Sequence, residues 1–231
     1  MKLLVTGRLS YWSKAAAVLL LFSLGMHPWG TSAEALLCES FERAGVDADI
    51  IASMLGAANG GYLYQIDKDT SRVEFHVDYS SAGRIHGSFA EFEGGLSLSP
   101  ATSKVNQALL LIRAGSLTTG NTLFDAIANG SEFFNTRTFP EMLFVSHGIR
   151  WTSATTAKLF GDLTLLGQTR TIVFDINVSP ISPANWGHSR ELIVKAKTMI
   201  KRSNFGINGY SGLVGDTVQL SIEFKVLRVI A

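Results

Sequence analysis

The stretch RVEFHVDY, residues 72–79, decides the fold class because apolar and polar side chains alternate along it. Val73, Phe75 and Val77 fall on one face, and the residues between them fall on the other. A period of two residues is typical of a β-strand that has one buried face and one solvated face. Small residues at 81–83 then predict a turn, so the stretch also opens a hairpin.

The same kind of pattern recurs along the chain as far as residue 229. Further strands are predicted at residues 85–89, 96–98, 104–114, 142–150, 157–166, 171–178, 192–201 and 218–229. One of them has two faces that cannot be told apart, since Leu109 and Leu111 are as apolar as Leu110 and Ile112. About nine or ten short strands without a crossover helix indicate an all-β protein, built as an antiparallel sandwich or barrel.

A single helical stretch, residues 121–134, interrupts these strands. Asn121 is a suitable N-cap for a short amphipathic helix. The large apolar residues of the stretch are Leu123, Phe124, Ile127, Phe133 and Phe134. A connection is normally polar, so this cluster predicts a plug, the rim of an apolar cavity, or a short helix that closes one end of a barrel and completes its core.

The N-terminal segment has the layout of a secretory signal peptide. Three basic residues among the first 14 precede an apolar run of 12 residues at 15–26. An A-x-A site follows at residues 33–35, with residues 31–33 as a second choice. A membrane-spanning helix needs about 20 apolar residues, so export is the better interpretation.

These features divide the chain into three parts. Residues 1–35 are predicted to be the signal peptide, and residues 62–231 the mature β domain. Between them, residues 36–61 are a leader or linker, for which an amphipathic helix and an unstructured spacer both remain open. The predicted location is therefore the periplasm or the exterior of the cell.

Composition excludes several classes of protein. The 231 residues carry 20 Lys and Arg against 19 Asp and Glu, a net charge of +1. A nucleic-acid partner is not expected, because binding through counterion release needs an excess of basic residues. The single cysteine, Cys38, excludes an intrachain disulfide and any cysteine-rich metal cluster.

A search for catalytic motifs finds none. The sequence holds no nucleophile elbow, no H-E-x-x-H, no G-x-G-x-x-G that opens a helix and no P-loop. His76 and His86 would face each other in a hairpin symmetric about Ser81, where they could share a metal or haem iron, or remain two solvated surface histidines. We therefore predict no catalytic residue, no metal site and no enzymatic activity.

Several segments, in order along the mature domain, form a recognisable set of motifs. The segment GSFAEFEG at residues 87–94 has the form G-x-F-x-x-F-x-G, and it resembles the corresponding segment of the YceI-like family of bacterial periplasmic proteins. The further matches are LTTGN at 117–121, EFFNTRTFP at 132–140, GDLTL at 161–165, IKRSNFGI at 200–207 and GDTV at 215–218. Each match is weak alone, but their common order across residues 62–229 is specific.

This resemblance implies an extended, lipocalin-like antiparallel β-barrel of about eight strands or more, whose apolar interior holds a polyisoprenoid chain. An eight-stranded barrel has room for one small ligand. The predicted wall residues, chosen by strand alternation, are Phe75, Val77, Phe89, Leu110, Ile112, Phe144, Ile172, Phe174 and Ile176. Those predicted to close or line the mouth are Leu123, Phe124, Ile127, Phe133 and Phe134.

One departure from the family pattern concerns the ligand's headgroup. Where relatives carry an R-D-x-H-L stretch, this chain keeps Asp125 but has Phe124 and Ile127 at the Arg and His positions. Loss of a cation and a hydrogen-bonding ring favours a neutral headgroup, such as a quinone, over a phosphate. Arg202 is the remaining cation near a family motif, and either contacts the headgroup or hydrogen-bonds turn carbonyls around residues 204–206.

Three functions follow as hypotheses. The first is a non-catalytic periplasmic binding protein for an isoprenoid quinone or another polyprenyl lipid. This protein would require no cofactor, and an isoprenoid quinone is the one such group that it could hold. The second is a redox accessory that uses a bound quinone or haem and serves a membrane redox protein. The third is a structural or stress protein with a filled barrel. The oligomeric state stays open, with a homodimer as one option.

Overall fold

A computed structural model describes residues 33–60, 62–80, 83–98, 106–179 and 189–229. Three α-helices occur in these ranges: α1 (Ala33–Arg43), α2 (Ala48–Gly56) and α3 (Thr122–Asn129). The strands are β1 (Leu63–Ile66), β2 (Arg72–Tyr79), β3 (Gly83–Phe89), β4 (Phe92–Ser97), β5 (Gln107–Arg113), β6 (Leu117–Thr118), β7 (Glu141–Trp151), β8 (Thr156–Leu165), β9 (Gln168–Ser179), β10 (Glu191–Lys201) and β11 (Val214–Arg228).

The strands close into an eight-stranded antiparallel barrel. Three of the eight barrel strands are interrupted, and each of these consists of two shorter strands: β1 with β2, β3 with β4, and β5 with β6. The long β11 pairs with both parts of the first interrupted strand, through residues 226–228 to β1 and through residues 214–223 to β2. Since β1 also pairs with β4 on its other side, the sheet returns on itself, and the predicted antiparallel barrel is confirmed.

Strand alternation builds the interior. In β2, Val73, Phe75 and Val77 are buried inside the barrel, while Arg72 and Asp78 are exposed on its outer surface. The same period of two continues in β9, where Phe174, Ile176 and Val178 are buried between exposed residues. The inward rows of the barrel strands merge into one apolar cluster, which encloses the two cavities described below.

The N-terminal helices explain the strand whose two faces look alike in the sequence. Leu110 and Ile112 of β5 belong to the cluster inside the barrel, whereas Leu109 and Leu111 are buried on its outside. Helices α1 and α2 and a 3-10 turn at Ala57–Gly60 cover that outer face, with residues such as Phe41, Ile51 and Met54 packed there. Both faces of β5 are apolar because both are buried.

The predicted leader, residues 36–61, thus carries most of α1, α2 and the 3-10 turn. The predicted signal peptide lies outside the described residues apart from 33–35, which begin α1. Within the described part of the chain, no helix combines the length and the apolar character needed to cross a membrane.

Candidate functional site

An apolar cavity of about 210 Å³ occupies the end of the barrel next to α3. Thr119, Glu74 and Arg202 are the polar or charged residues that reach its lining, apart from two tyrosines. Every other lining side chain is apolar. Such a cavity suits an apolar ligand, because it offers contact area and few hydrogen-bonding groups that would be left without a partner.

Most of the predicted site residues meet at this cavity, which we call the upper cavity. Those that line it are Phe75, Val77, Phe89, Leu110, Ile112, Phe124, Ile127, Phe133, Phe134, Phe144, Phe174 and Arg202. A filled barrel, the third hypothesis, does not describe this interior, because the upper cavity remains open among these side chains.

Three predicted residues lie elsewhere. Leu123 is 64% exposed and does not line the upper cavity, unlike the other residues predicted at the mouth. Ile172 points inward on β9 and packs, partly buried, against the core, but lines neither of the two cavities described here. Ile176 lines a second, smaller cavity deeper in the barrel.

The sequence analysis missed part of the lining. Ile85, Leu163 and Leu165 follow the same alternation as their predicted neighbours, so period-two counting could have found them. Tyr210 and Leu213 also line the cavity. They come from an irregular segment between β10 and β11, where no periodic signal was available.

The second cavity, the lower cavity, has a volume of about 70 Å³. Four residues line both cavities, namely Leu110, Phe144, Phe174 and Ile222. The rings of Phe144 and Phe174 stand edge to face at 87°, with their centroids 5.3 Å apart. These four side chains therefore form a layer across the barrel that separates one cavity from the other.

Two glycines of the family-like segments make room for aromatic rings of the wall. A Cβ on Gly87 would overlap Cζ and Cε1 of Phe75. A Cβ on Gly161 would lie 2.6 Å from Cε2 of Phe144 and 2.7 Å from the carbonyl oxygen of Val145. Real Cβ atoms do not approach this closely, so only glycine lets each ring lie flat against the neighbouring strand.

Arg202 is a structural residue at the edge of the upper cavity. Its guanidinium donates to four main-chain carbonyls, those of Ile207, Gly209, Val214 and Gly215, at 2.8–3.0 Å. The side chain is only 5% exposed, and this burial lowers the pKa of Arg202 from its usual value. Arg202 thus holds the segment between β10 and β11 in place, as the second alternative in the sequence analysis proposed for it, although with different carbonyls.

The mouth beside α3 is organised by hydrogen bonds among Thr119, which lines the cavity, and two polar residues that do not line it, Asn121 and Asp125. The side chain of Asn121 caps the helix by accepting from the amides of Leu123 and Phe124. Asp125 accepts from the amide and the hydroxyl of Thr119 at 2.6 and 2.7 Å. These bonds from Thr119 hold the pKa of Asp125 below its ordinary value, so this carboxylate orders the entry to α3.

His76 and His86 lie opposite each other on β2 and β3, with their Nδ1 atoms 2.5 Å apart. The axial ligands of a haem iron stand on opposite faces of the porphyrin, and no macrocycle could pass between nitrogens already in contact. The haem version of the redox hypothesis does not fit this geometry. No group of three or more His, Cys, Asp or Glu side chains suited to a metal occurs among the described residues.

The closed barrel with an apolar cavity at one end defines the class, a lipocalin-like β-barrel. The model of the YceI-like domain family matches residues 64–226, and the chain belongs to that family. A UPF0312 protein of Pseudomonas putida (strain W619) is 28% identical over 167 residues, which cover 71% of this chain and 86% of that protein.

Two solved structures show the same fold. BcnA of Burkholderia cenocepacia has a TM-score of 0.62 and 21% identity, covering 69% of this chain and 98% of its own. A polyisoprenoid binding domain from Saccharophagus degradans, implicated in plant cell wall breakdown, has a TM-score of 0.55 and 17% identity, covering 71% of this chain and 98% of its own.

Proposed function

We propose that this protein is a non-catalytic, exported binding protein that holds a polyisoprenoid lipid in the upper cavity. The observation that carries the proposal is the cavity itself, about 210 Å³ lined almost wholly by apolar side chains. Each CH₂ of a ligand buried there contributes about 0.8 kcal/mol, so a prenyl chain binds without a strong polar anchor. The polyisoprenoid-binding domain with the same fold supports this class of ligand.

A neutral headgroup, such as that of an isoprenoid quinone, fits the surroundings of the mouth best. Phe124 and Ile127 line the cavity there, where a phosphate would need cationic or hydrogen-bonding partners. The guanidinium of Arg202 is already engaged by four carbonyls. A phosphate would have to compete with those buried bonds, whereas a quinone ring would not.

The proposed place of action is the periplasm, and its support is the signal peptide predicted from the sequence. An isoprenoid chain is poorly soluble in water, so a carrier or reservoir outside the inner membrane would shield it from solvent. A membrane redox protein that exchanges a bound quinone is a compatible partner, but the binding function does not depend on it.

The test is to express the protein with export in a bacterium, to extract the purified protein with organic solvent, and to analyse the extract by mass spectrometry. We expect a prenyl lipid in near-stoichiometric amount, and uptake of added ubiquinone by the emptied protein. The matched variants are Val77→Phe, which places a ring in the cavity, and Val173→Phe, which changes an outward, partly exposed residue of β9.

Loss of the lipid in Val77→Phe with retention in Val173→Phe would support the proposal. Absence of any prenyl lipid from the wild-type protein, together with no uptake of ubiquinone, would overturn it. Equal lipid content in both variants would also contradict it, because the ligand would then lie outside the upper cavity.

A further inference from the structure

We propose that the layer formed by Leu110, Phe144, Phe174 and Ile222 sets the length of prenyl chain that the barrel holds. The terminal two isoprene units occupy the upper cavity, and their end stops at this layer. A headgroup lies at the mouth beside α3 when the chain is this short, and beyond the mouth when the chain is longer. This inference rests on the proposed function, since it concerns the same cavity and ligand class.

The position of the layer follows from strand pairing and ring contact together. Leu110 of β5 pairs with Phe144 of β7, and alternation directs both side chains inward. Phe174 of β9 also points inward, and the contact between its ring and that of Phe144 places the two phenylalanines side by side across the barrel. The two phenylalanines are 5% and 4% exposed and contact each other edge to face, so they obstruct the barrel between the upper and lower cavities.

The Phe144 side chain is fixed in orientation by its neighbours. The Phe144 ring lies over Gly161, where a Cβ would be 2.6 Å from its Cε2 atom. This recess holds one side of the ring, and the Phe174 ring packs against it as well. Because packed interiors do not yield continuously, a ligand that enters from the mouth meets a wall at this layer instead of a side chain that swings aside.

The volume of the upper cavity gives the length limit. An apolar cavity of about 150 Å³ holds the six carbons of benzene. In proportion, the cavity of about 210 Å³ holds about eight or nine carbons. That is close to two isoprene units of five carbons each, and the lower cavity of about 70 Å³ adds space only if the layer opens.

The inference predicts a plateau in affinity with chain length. Each additional buried CH₂ strengthens binding about fourfold, so affinity should rise steeply from the five-carbon prenol to the ten-carbon geraniol. Farnesol and geranylgeraniol, with 15 and 20 carbons, bury no further carbon behind the layer. Their dissociation constants should stay within about threefold of that of geraniol.

The experiment titrates these four alcohols into the delipidated full chain by calorimetry, with the longest measured by competition against farnesol. Phe144→Ala and Phe174→Ala should connect the cavities and move the plateau to a longer alcohol, with farnesol binding at least tenfold better than geraniol. Phe92→Ala is the matched control, because Phe92 is buried in the same core but lines neither cavity. Its plateau should stay at geraniol.

The outcomes separate this inference from the proposed function. If none of the alcohols binds the wild-type protein, the proposed function fails and the length limit fails with it. If they bind but affinity climbs through geranylgeraniol in the wild type, the length limit alone is refuted. The length limit is also refuted if the plateau stays at geraniol in a folded Phe144→Ala variant. If both alanine variants unfold, Phe144→Leu replaces them, because leucine also narrows the layer, and a plateau that stays at geraniol in Phe144→Leu refutes the length limit.

Discussion

Gly87→Ala offers a sharp test of how the cavity wall is built. The three nearest heavy atoms to a Cβ at this position all belong to the ring of Phe75, and two of them would overlap it. The ring also contacts the rings of Phe89 and Phe134, with centroids 5.8 and 6.4 Å away. The space left for its displacement is the upper cavity, which Phe75 lines.

The expected cost follows from overpacking. An extra methyl group forced into a packed core typically costs about 1–3 kcal/mol, and we expect Gly87→Ala to lower the free energy of unfolding by that amount. In a Phe75→Leu background the obstructing ring is gone, so most of this cost should disappear. The two substitutions should therefore be coupled by at least about 1 kcal/mol, within the range seen for residues in contact.

The assay is urea unfolding of the wild type, both single variants and the double variant, followed by circular dichroism. Gly95→Ala is the control, because its Cβ would lie 2.7 Å from the main-chain oxygen of Tyr64, an obstacle that Phe75→Leu does not remove. Gly87→Ala should also bind less lipid, since the ring moves into the cavity. Equal costs of Gly87→Ala with phenylalanine and with leucine at position 75 would refute the reasoning.

Three further predictions concern polar groups. Arg202→Met should lower the free energy of unfolding, measured with urea, by at least about 3 kcal/mol. Four carbonyls lose their donor in this variant, and each buried acceptor left unsatisfied costs about 1–3 kcal/mol. A loss below about 1 kcal/mol would contradict the role assigned to Arg202. Hydrogen bonds from Thr119 lower the pKa of Asp125. The stabilising effect of the Asp125 carboxylate is therefore complete above the ordinary carboxyl pKa of 3.8 and is lost as the pH falls through the lowered pKa. Asp125→Asn should reduce the loss of stability at acid pH, and an unchanged loss would contradict this role. Burial, and then the neighbouring His86, lower the pKa of His76 from 6.5. The free energy of unfolding should therefore fall as the pH drops below about 6.5, and it should fall less in His76→Gln. An NMR titration that gives His76 a pKa at or above 6.5 would refute this prediction.

The strand pattern predicted the fold because it records burial directly. The strand predicted at residues 72–79 is β2 (Arg72–Tyr79), and its inward residues are the ones that alternation selected. β5 could not be oriented in the same way, since one face packs inside the barrel and the other packs under α1 and α2. A sequence states that both faces are buried, but not which neighbour buries each.

The helix beside the mouth shows where residue spacing is too coarse. Phe124, Ile127 and Ala128 line the cavity, at the i, i+3 and i+4 positions of one face. Leu123 shares its side of the helix with Ile127 by spacing, yet it is largely exposed. α3 has only eight residues, and so short a helix has too few apolar positions to define its rotation against the barrel.

The open cavity itself could not be read from the pattern, because an inward residue looks the same whether it meets a ligand or another side chain. The volume carries the argument instead. Unfilled apolar space destabilises a core by about 24 cal/mol per Å³, so a cavity of about 210 Å³ amounts to roughly 5 kcal/mol, comparable to the whole stability of many domains. Gly87 and Gly161 sustain that space by letting Phe75 and Phe144 lie flat against the wall. A bound prenyl chain would restore the missing contacts, so the space that weakens the empty barrel would also favour the lipid uptake that we propose.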